Sequence, residues 1–199
     1  MNTEEQQIEQ IKDFWQEHGK GIVAGLVIGF AIFYGWRYYG DHVRTKQEAA
    51  SEQFEQVAAQ LFAGDGLTEA QTFVTSSNSA YRHLAAMQLA KAAIDAGDYA
   101  TAVSALQQVR DTGEPELAAL AAIRQARVLL AQEQYDAAIE AATAATQVKA
   151  FAASAYELQG DILLAKGDYT GARQAYLAAQ QQGADGLAEL KLNSIVAGS

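Results

Sequence analysis

Between Lys20 and Arg37 the chain runs through sixteen residues without a charge, Gly-Ile-Val-Ala-Gly-Leu-Val-Ile-Gly-Phe-Ala-Ile-Phe-Tyr-Gly-Trp, and no other stretch limits the architecture as strongly. As a helix this run rises about 24 Å, somewhat short of the roughly 30 Å hydrocarbon core of a bilayer. Lys20 and Arg37 can lay their stems along the apolar zone and lift their charges to the headgroups. Tyr34, Trp36, Tyr38 and Tyr39 then form an aromatic belt at one boundary. Residues 20–39 therefore predict a transmembrane anchor. The alternatives are a cleaved signal peptide and a buried core helix. The first calls for a basic start and a small-x-small exit, but the leader carries Glu4, Glu5, Glu9, Asp13 and Glu17 against Lys12 and Lys20. The second would show a polar face, which this run lacks.

Gly21, Gly25 and Gly29 recur every fourth residue, so one face of the anchor would let another transmembrane backbone approach closely. The competing explanation is that glycine is frequent in such helices.

The rest of the chain has room for one domain with a substantial core. Beyond residue 50 it carries nine Lys and Arg against seventeen Asp and Glu, within a formal net charge of −10. Those scattered cations give nucleic acid no clustered face to bind. Cysteine is absent, so thiol usage does not decide the compartment. The single proline, Pro115, the abundant alanine and the lack of alternating β-branched runs predict an all-α chain.

The leader 1–19 reads as an amphipathic segment on the membrane surface. Thr3 with Gln6 makes a capping box, and Ile8, Ile11, Phe14 and Trp15 mark an apolar stripe; a frayed leader is the alternative. After the anchor, residues 41–63 predict a helix ending near Gly64-Asp-Gly66. A shorter helix capped by Thr68 with Gln71 follows and runs out around Ser76 to Ser79.

From residue 80 the chain repeats itself. Gly97-Asp-Tyr-Ala-Thr-Ala102, Glu133-Gln-Tyr-Asp-Ala-Ala138 and Gly167-Asp-Tyr-Thr-Gly-Ala172 set Tyr99, Tyr135 and Tyr169 at separations of 36 and 34 residues. That is the period of tetratricopeptide repeats. Each unit reads helix, turn, helix: Gly or Gln permits the turn, Asp98 or Asp168 caps the second helix, and the tyrosine packs back on its partner. Ala90, Ala126 and Gly160 supply the small residue where the two helices of a hairpin touch. Ala172 with Tyr176, and Ala138, Ala142 and Ala145, serve the same close packing. No unit has a closing proline, which predicts loosely defined helix ends. The expected fold is one transmembrane helix followed by a tetratricopeptide-repeat-like α-solenoid over 40–199, with repeats at about 80–114, 115–150 and 151–185. A terminal helix over 186–196, with Leu187, Leu190, Leu192 and Ile195, would cover the last repeat.

No enzyme constellation stands out. His18, His42 and His83 are far apart, and neither a Gly-rich phosphate loop nor a nucleophile elbow is present. The expectation is a chain with no catalytic residues, no metal and no cofactor. Solenoids bind through the face lined by the first helix of each hairpin. Registering the repeats on their tyrosines puts Leu84, Met87 and Lys91, then Leu120, Ile123 and Arg127, then Ser154, Glu157 and Asp161 on that face. Such a groove, apolar and cationic at one end and acidic at the other, suits a peptide segment or a partner's helix. Alternatively Leu84, Met87, Leu120 and Ile123 are core between repeats.

The acidic leader, the anchor from Gly21 to Trp36, the exit Trp36-Arg-Tyr-Tyr39, the repeat segment Leu158-Gln-Gly-Asp-Ile-Leu-Leu-Ala-Lys-Gly-Asp-Tyr169 and the ending Leu187-Ala-Glu-Leu-Lys-Leu192 follow one another over nearly the whole chain. In that order they resemble the YfgM family of ancillary SecYEG translocon subunits. The resemblance implies an inner-membrane protein with a cytoplasmic N-terminus and a periplasmic repeat domain. Its implied partners are SecYEG, the anchored chaperone PpiD and secreted chains leaving the channel. Charge counting leans weakly the other way, with Lys12 and Lys20 before the anchor against Arg37, Arg44 and Lys46 after it. One cation is a small difference, and long domains translocate largely regardless of charge. An anchored scaffold for an envelope or respiratory complex, and a cytosol-facing receptor for precursors, are the other functional readings.

Overall fold

The computed structural model describes residues 3–184 and 186–198; for 3–11, 13, 17, 22 and 196–198 the description is of the backbone alone. Among these residues the chain is helical, with no strand. The elements are α1 (Thr3–Phe62), α2 (Leu67–Ser76), α3 (Tyr81–Asp95), α4 (Tyr99–Thr112), α5 (Pro115–Ala131), α6 (Tyr135–Ala145), α7 (Lys149–Lys166), α8 (Tyr169–Gln181) and α9 (Gly186–Gly198). The chain divides into two compact units, residues 1–49 and 50–199.

The leader, the anchor and the helix after it are one continuous α1, not three segments. Gly40 does not break it: Arg37 pairs with Asp41 at 3.9 Å and Arg44 with Glu48 at 2.8 Å, each one turn along the same surface. The capping box of Thr3 and Gln6, and Ile8 and Ile11 of the predicted stripe, fall outside the described side chains; Phe14 and Trp15 are exposed. Within the first unit Val23, Leu26, Val27, Ile28, Phe30, Ile32 and Phe33 are all exposed. Spread over every side of the helix, they make a collar that water would not tolerate and lipid would cover. This is the one described helix long and apolar enough to cross a membrane.

In the second unit the end of α1 starts the core. Val57 and Leu61 are buried with Ala70, Phe73 and Val74 of α2, and Phe54 stacks on Tyr81 of α3 at 5.4 Å between ring centroids. From there each helix packs on the next through to α9, and α5 also meets α7. That is the serial pattern of hairpins stacked as a solenoid. Alanines dominate the buried surface: Ala85, Ala90, Ala102, Ala126, Ala138, Ala142, Ala155 and Ala172 are essentially inaccessible. Their small side chains let neighbouring helix backbones lie close enough to exclude water.

The helix ends are sharper than the missing prolines suggest. Gly97 donates to the Ile94 carbonyl and Asp98 to that of Ala93. Gly167 and Asp168 do the same to Leu164 and Leu163, and Glu133 and Gln134 to Leu130 and Leu129. These are Schellman closures, which end a helix by reversing one residue into left-handed space. Gly97 and Gly167 do so at φ 77° and 85°; in the middle repeat the non-glycine Glu133 takes φ 59°. The second helices then start as expected in two repeats, where Asp98 accepts from the Thr101 N–H at 3.1 Å and Asp168 from that of Gly171 at 2.8 Å. Gln134 occupies the same position without a side-chain cap. Thr68 is not a cap either: α2 begins one residue earlier, after Gly66 in left-handed conformation.

The tyrosine signature is less buried than predicted. Tyr135 packs partly on the cluster of Ile123, Leu129, Leu158 and Ile162, but Tyr99 and Tyr169 are 40% and 59% exposed. The first position of the second helix faces outward, and alanines three residues on fill the hairpin instead.

Candidate partner-binding surface

The last repeat shows how the sequence positions polar groups. Gly160 on α7 carries no Cβ, and one placed there would lie 2.4 Å from the Tyr176 ring. That vacancy seats the fully buried ring of Tyr176, whose hydroxyl donates to Asp161 at 2.7 Å. Burial first, then the hydrogen bond to the Asp161 carboxylate, holds the Tyr176 phenol well above its ordinary range. From α9, Lys191 reaches back to Glu157 and Asp161 at 2.8 Å each. Desolvation lowers the Lys191 pKa, but its bonds to Asp161 and Glu157 outweigh this and hold the ammonium above its usual value. Leu192 and Ile195 pack beside Tyr176, while Leu187 and Leu190, predicted to cover the repeat as well, point outward.

The nine residues assigned to the binding face therefore divide. Leu84 is 48% exposed, Lys91, Arg127 and Ser154 are exposed, and Leu120 is half-buried against the first core. Met87 and Ile123, at 8% and 4%, are core residues and line no open surface. They lie on the side of the first helix that meets the neighbouring hairpin, where burial of an apolar side chain is favoured. Glu157 and Asp161 are already engaged by Lys191, so one of the two charges at the acidic end of the predicted gradient is offset from within.

Concavities lie elsewhere in the second unit, and two of them are sizeable. One, of about 700 Å³, sits between the end of α1 and the end of α3 and includes Lys91, which is paired with Asp95 at 2.7 Å. The larger, of about 850 Å³, runs along α4 over a floor from α5, with Ser104, Gln107, Gln125, Leu129, Gln132 and Gln134 among its lining. Gln125, only 2% exposed, donates to the Val103 carbonyl and to Gln107 Oε1, both at 3.1 Å, and accepts from Arg110. Sequence reading passed over these glutamines because they carry no charge and belong to no repeat signature. Their clustering on α4 and after α5 was the available signal.

Among the described residues no group of three or more His, Asp or Glu converges as a metal site. The helical stack matches the family described as "Tetratricopeptide repeat-like domain" over residues 12–197. The ancillary SecYEG translocon subunit of Escherichia coli K12 is 32% identical over 88% of this chain and 86% of its own length. That of Haemophilus influenzae is 32% identical over 96% and 97%. The chain belongs to this family. Because the alignments span most of both chains, the likeness takes in the apolar helix together with the repeats. A crystal structure of MamA protein superimposes with TM-score 0.56 at 19% identity, over 73% of this chain and 79% of that one. At that identity the likeness speaks for the repeat fold alone.

Proposed function

We propose that this chain is a non-enzymatic, membrane-anchored accessory subunit beside the Sec channel, where its repeat unit contacts polypeptide emerging from the channel or a chaperone waiting there. The observation that carries this reading is an apolar helix exposed on every side, continuous with a tetratricopeptide-repeat-like unit, in a chain whose relatives are named ancillary SecYEG translocon subunits. Anchoring supplies the affinity: a tethered domain meets its neighbours at high effective concentration, so weak contacts suffice. In the arrangement we favour, the N-terminus is cytoplasmic and the repeat unit periplasmic, with SecYEG and a PpiD-like chaperone as partners. Gly21, Gly25 and Gly29 would face a transmembrane partner, and each has open space where a Cβ would stand.

Two measurements test this. Protease added to cells with an opened outer membrane should digest the repeats; complete protection would refute the periplasmic placement. Photo-crosslinkers at Leu84 and Arg127 in intact membranes should reach a channel subunit, the chaperone or a translocating chain. Crosslinks only to an unrelated envelope complex would favour a scaffold instead.

A further inference from the structure

We infer that α1 meets both faces of the bilayer through tryptophan. Trp15, with Phe14 beside it, contacts the phospholipid headgroup zone on the leader's side as Trp36 does on the other, so the span runs over 15–36 instead of 20–39. This placement rests on the membrane-anchored reading above and makes the end of the leader a lipid contact. Three observations converge on it.

The first is length. Trp36 follows Trp15 by 21 residues. As a helix that interval rises about 32 Å, which matches the roughly 30 Å of hydrocarbon. The uncharged run between Lys20 and Arg37 rises only about 24 Å, and a bilayer centred on it is left unmatched at both ends.

The second is continuity. A leader that lay on the membrane surface would need a bend before the anchor, and α1 runs unbroken from Thr3 to Phe62. The residues from Trp15 onward therefore enter along the same axis as the apolar collar. Trp15, Gly19 and Leu26 fall on one face of that helix, and exposed Leu26 belongs to the collar.

The third is the pose of the ring. Gly19 is buried because the Trp15 indole lies over it, with ring atoms 3.4 Å from where a Cβ would stand. The indole is thus laid along the helix toward the collar, and its outer side stays open, with Trp15 57% exposed. Exposed Phe14 extends the aromatic surface by stacking on His18 at 4.9 Å between ring centroids. An apolar ring body turned toward hydrocarbon with a polar N–H at its edge is what the boundary between acyl chains and headgroups selects.

Two charged residues lie inboard of Trp15. Glu17 is about 3 Å further along the axis, still at the edge of the headgroup zone, and Lys20 is about 7.5 Å further. Helix side chains tilt toward the N-terminus, so the Lys20 stem runs back to the headgroups on the leader's side.

Trp15 and Trp36 are the two tryptophans of the chain, so Trp36→Phe and Trp15→Phe each leave a single fluorophore. Each full-length variant, with unchanged helical circular dichroism, is reconstituted without other proteins in vesicles of phosphatidylcholine and phosphatidylglycerol. Phospholipids brominated at shallow, middle or deep chain positions then report depth by quenching. Both tryptophans should lie at the same depth, about 16 Å from the bilayer centre. A bilayer centred on the run between Lys20 and Arg37 would instead put Trp36 at about 11 Å and Trp15 at about 20 Å. That separation in depth, or Trp15 fluorescence quenched by aqueous iodide as fully as in the unfolded chain, would overturn the placement. Quenching of Trp36 by brominated lipid with Trp15 untouched removes this placement alone and leaves the anchor standing. Failure of brominated lipid to quench either tryptophan overturns the anchor together with it.

Discussion

Gly160 is fixed by the ring it faces. A methyl group there would collide with Tyr176, whose phenol donates to Asp161, so the ring cannot swing aside without breaking a partly buried hydrogen bond. Gly160→Ala should cost about 1–3 kcal/mol, the range for overpacking, visible as a lower denaturation midpoint of the helical signal. Glu133 poses the opposite case: its left-handed conformation strains an L residue, and the added Cβ brings no compensating packing that its exposed position would reward. Glu133→Gly should stabilise by about 1 kcal/mol, raising the melting temperature by roughly 2–4 °C. His83 carries a pH signature. Burial, then the Arg82 guanidinium, hold its imidazole below the ordinary value against the opposing pull of Glu114, while Thr112 bonds Nε2 at 3.0 Å. The unfolded chain thus takes up a proton more readily than the folded one. Stability is complete above the ordinary histidine value of about 6.5 and falls as pH drops below it. Denaturant midpoints between pH 8 and 5 should decline more steeply for wild type than for His83→Gln.

Among the elements, α9 is the one held by few ties. It contributes Ala188 and Ile195 to burial and one cation to α7, whereas the earlier helices interlock through many alanines. Lys191→Met should cost about 1–2 kcal/mol, because Glu157 and Asp161 lose a shared, partly buried partner. The loss should appear first as faster amide hydrogen exchange over 186–195, with the exchange of α3 to α6 unchanged. Most elements were legible in the sequence because the repeat fixes a hairpin every 34 to 36 residues and alanine marks the contacts. The continuity of α1 was not: the anchor at 20–39 and the helix over 41–63 were read as separate segments, whereas the helix runs unbroken through Gly40. Helix ends were misjudged because a left-handed closure does the work expected of proline.

For the molecule as a whole, a helix apolar enough to cross a membrane was plain from one uncharged run between two cations, and the family from the order of motifs along the chain. The proposed binding face rests on the repeat register: registering on tyrosines sets Leu84, Lys91, Arg127 and Ser154 at exposed positions, but assigning an inward or outward direction needs the crossing of neighbouring hairpins, which is why Met87 and Ile123 fell into the core. The groove along α4 gave no sequence signal of comparable strength, because uncharged amides look like ordinary surface. The central claim is that the anchored chain resides beside the Sec channel. Purification of the full chain from membranes dissolved in mild detergent tests it most directly. The account predicts that SecYEG subunits accompany it and that they are lost when residues 20–39 are replaced by an unrelated membrane span lacking the glycine face. Recovery of the chain from the membrane without the channel, under conditions where the channel itself stays assembled, would contradict it.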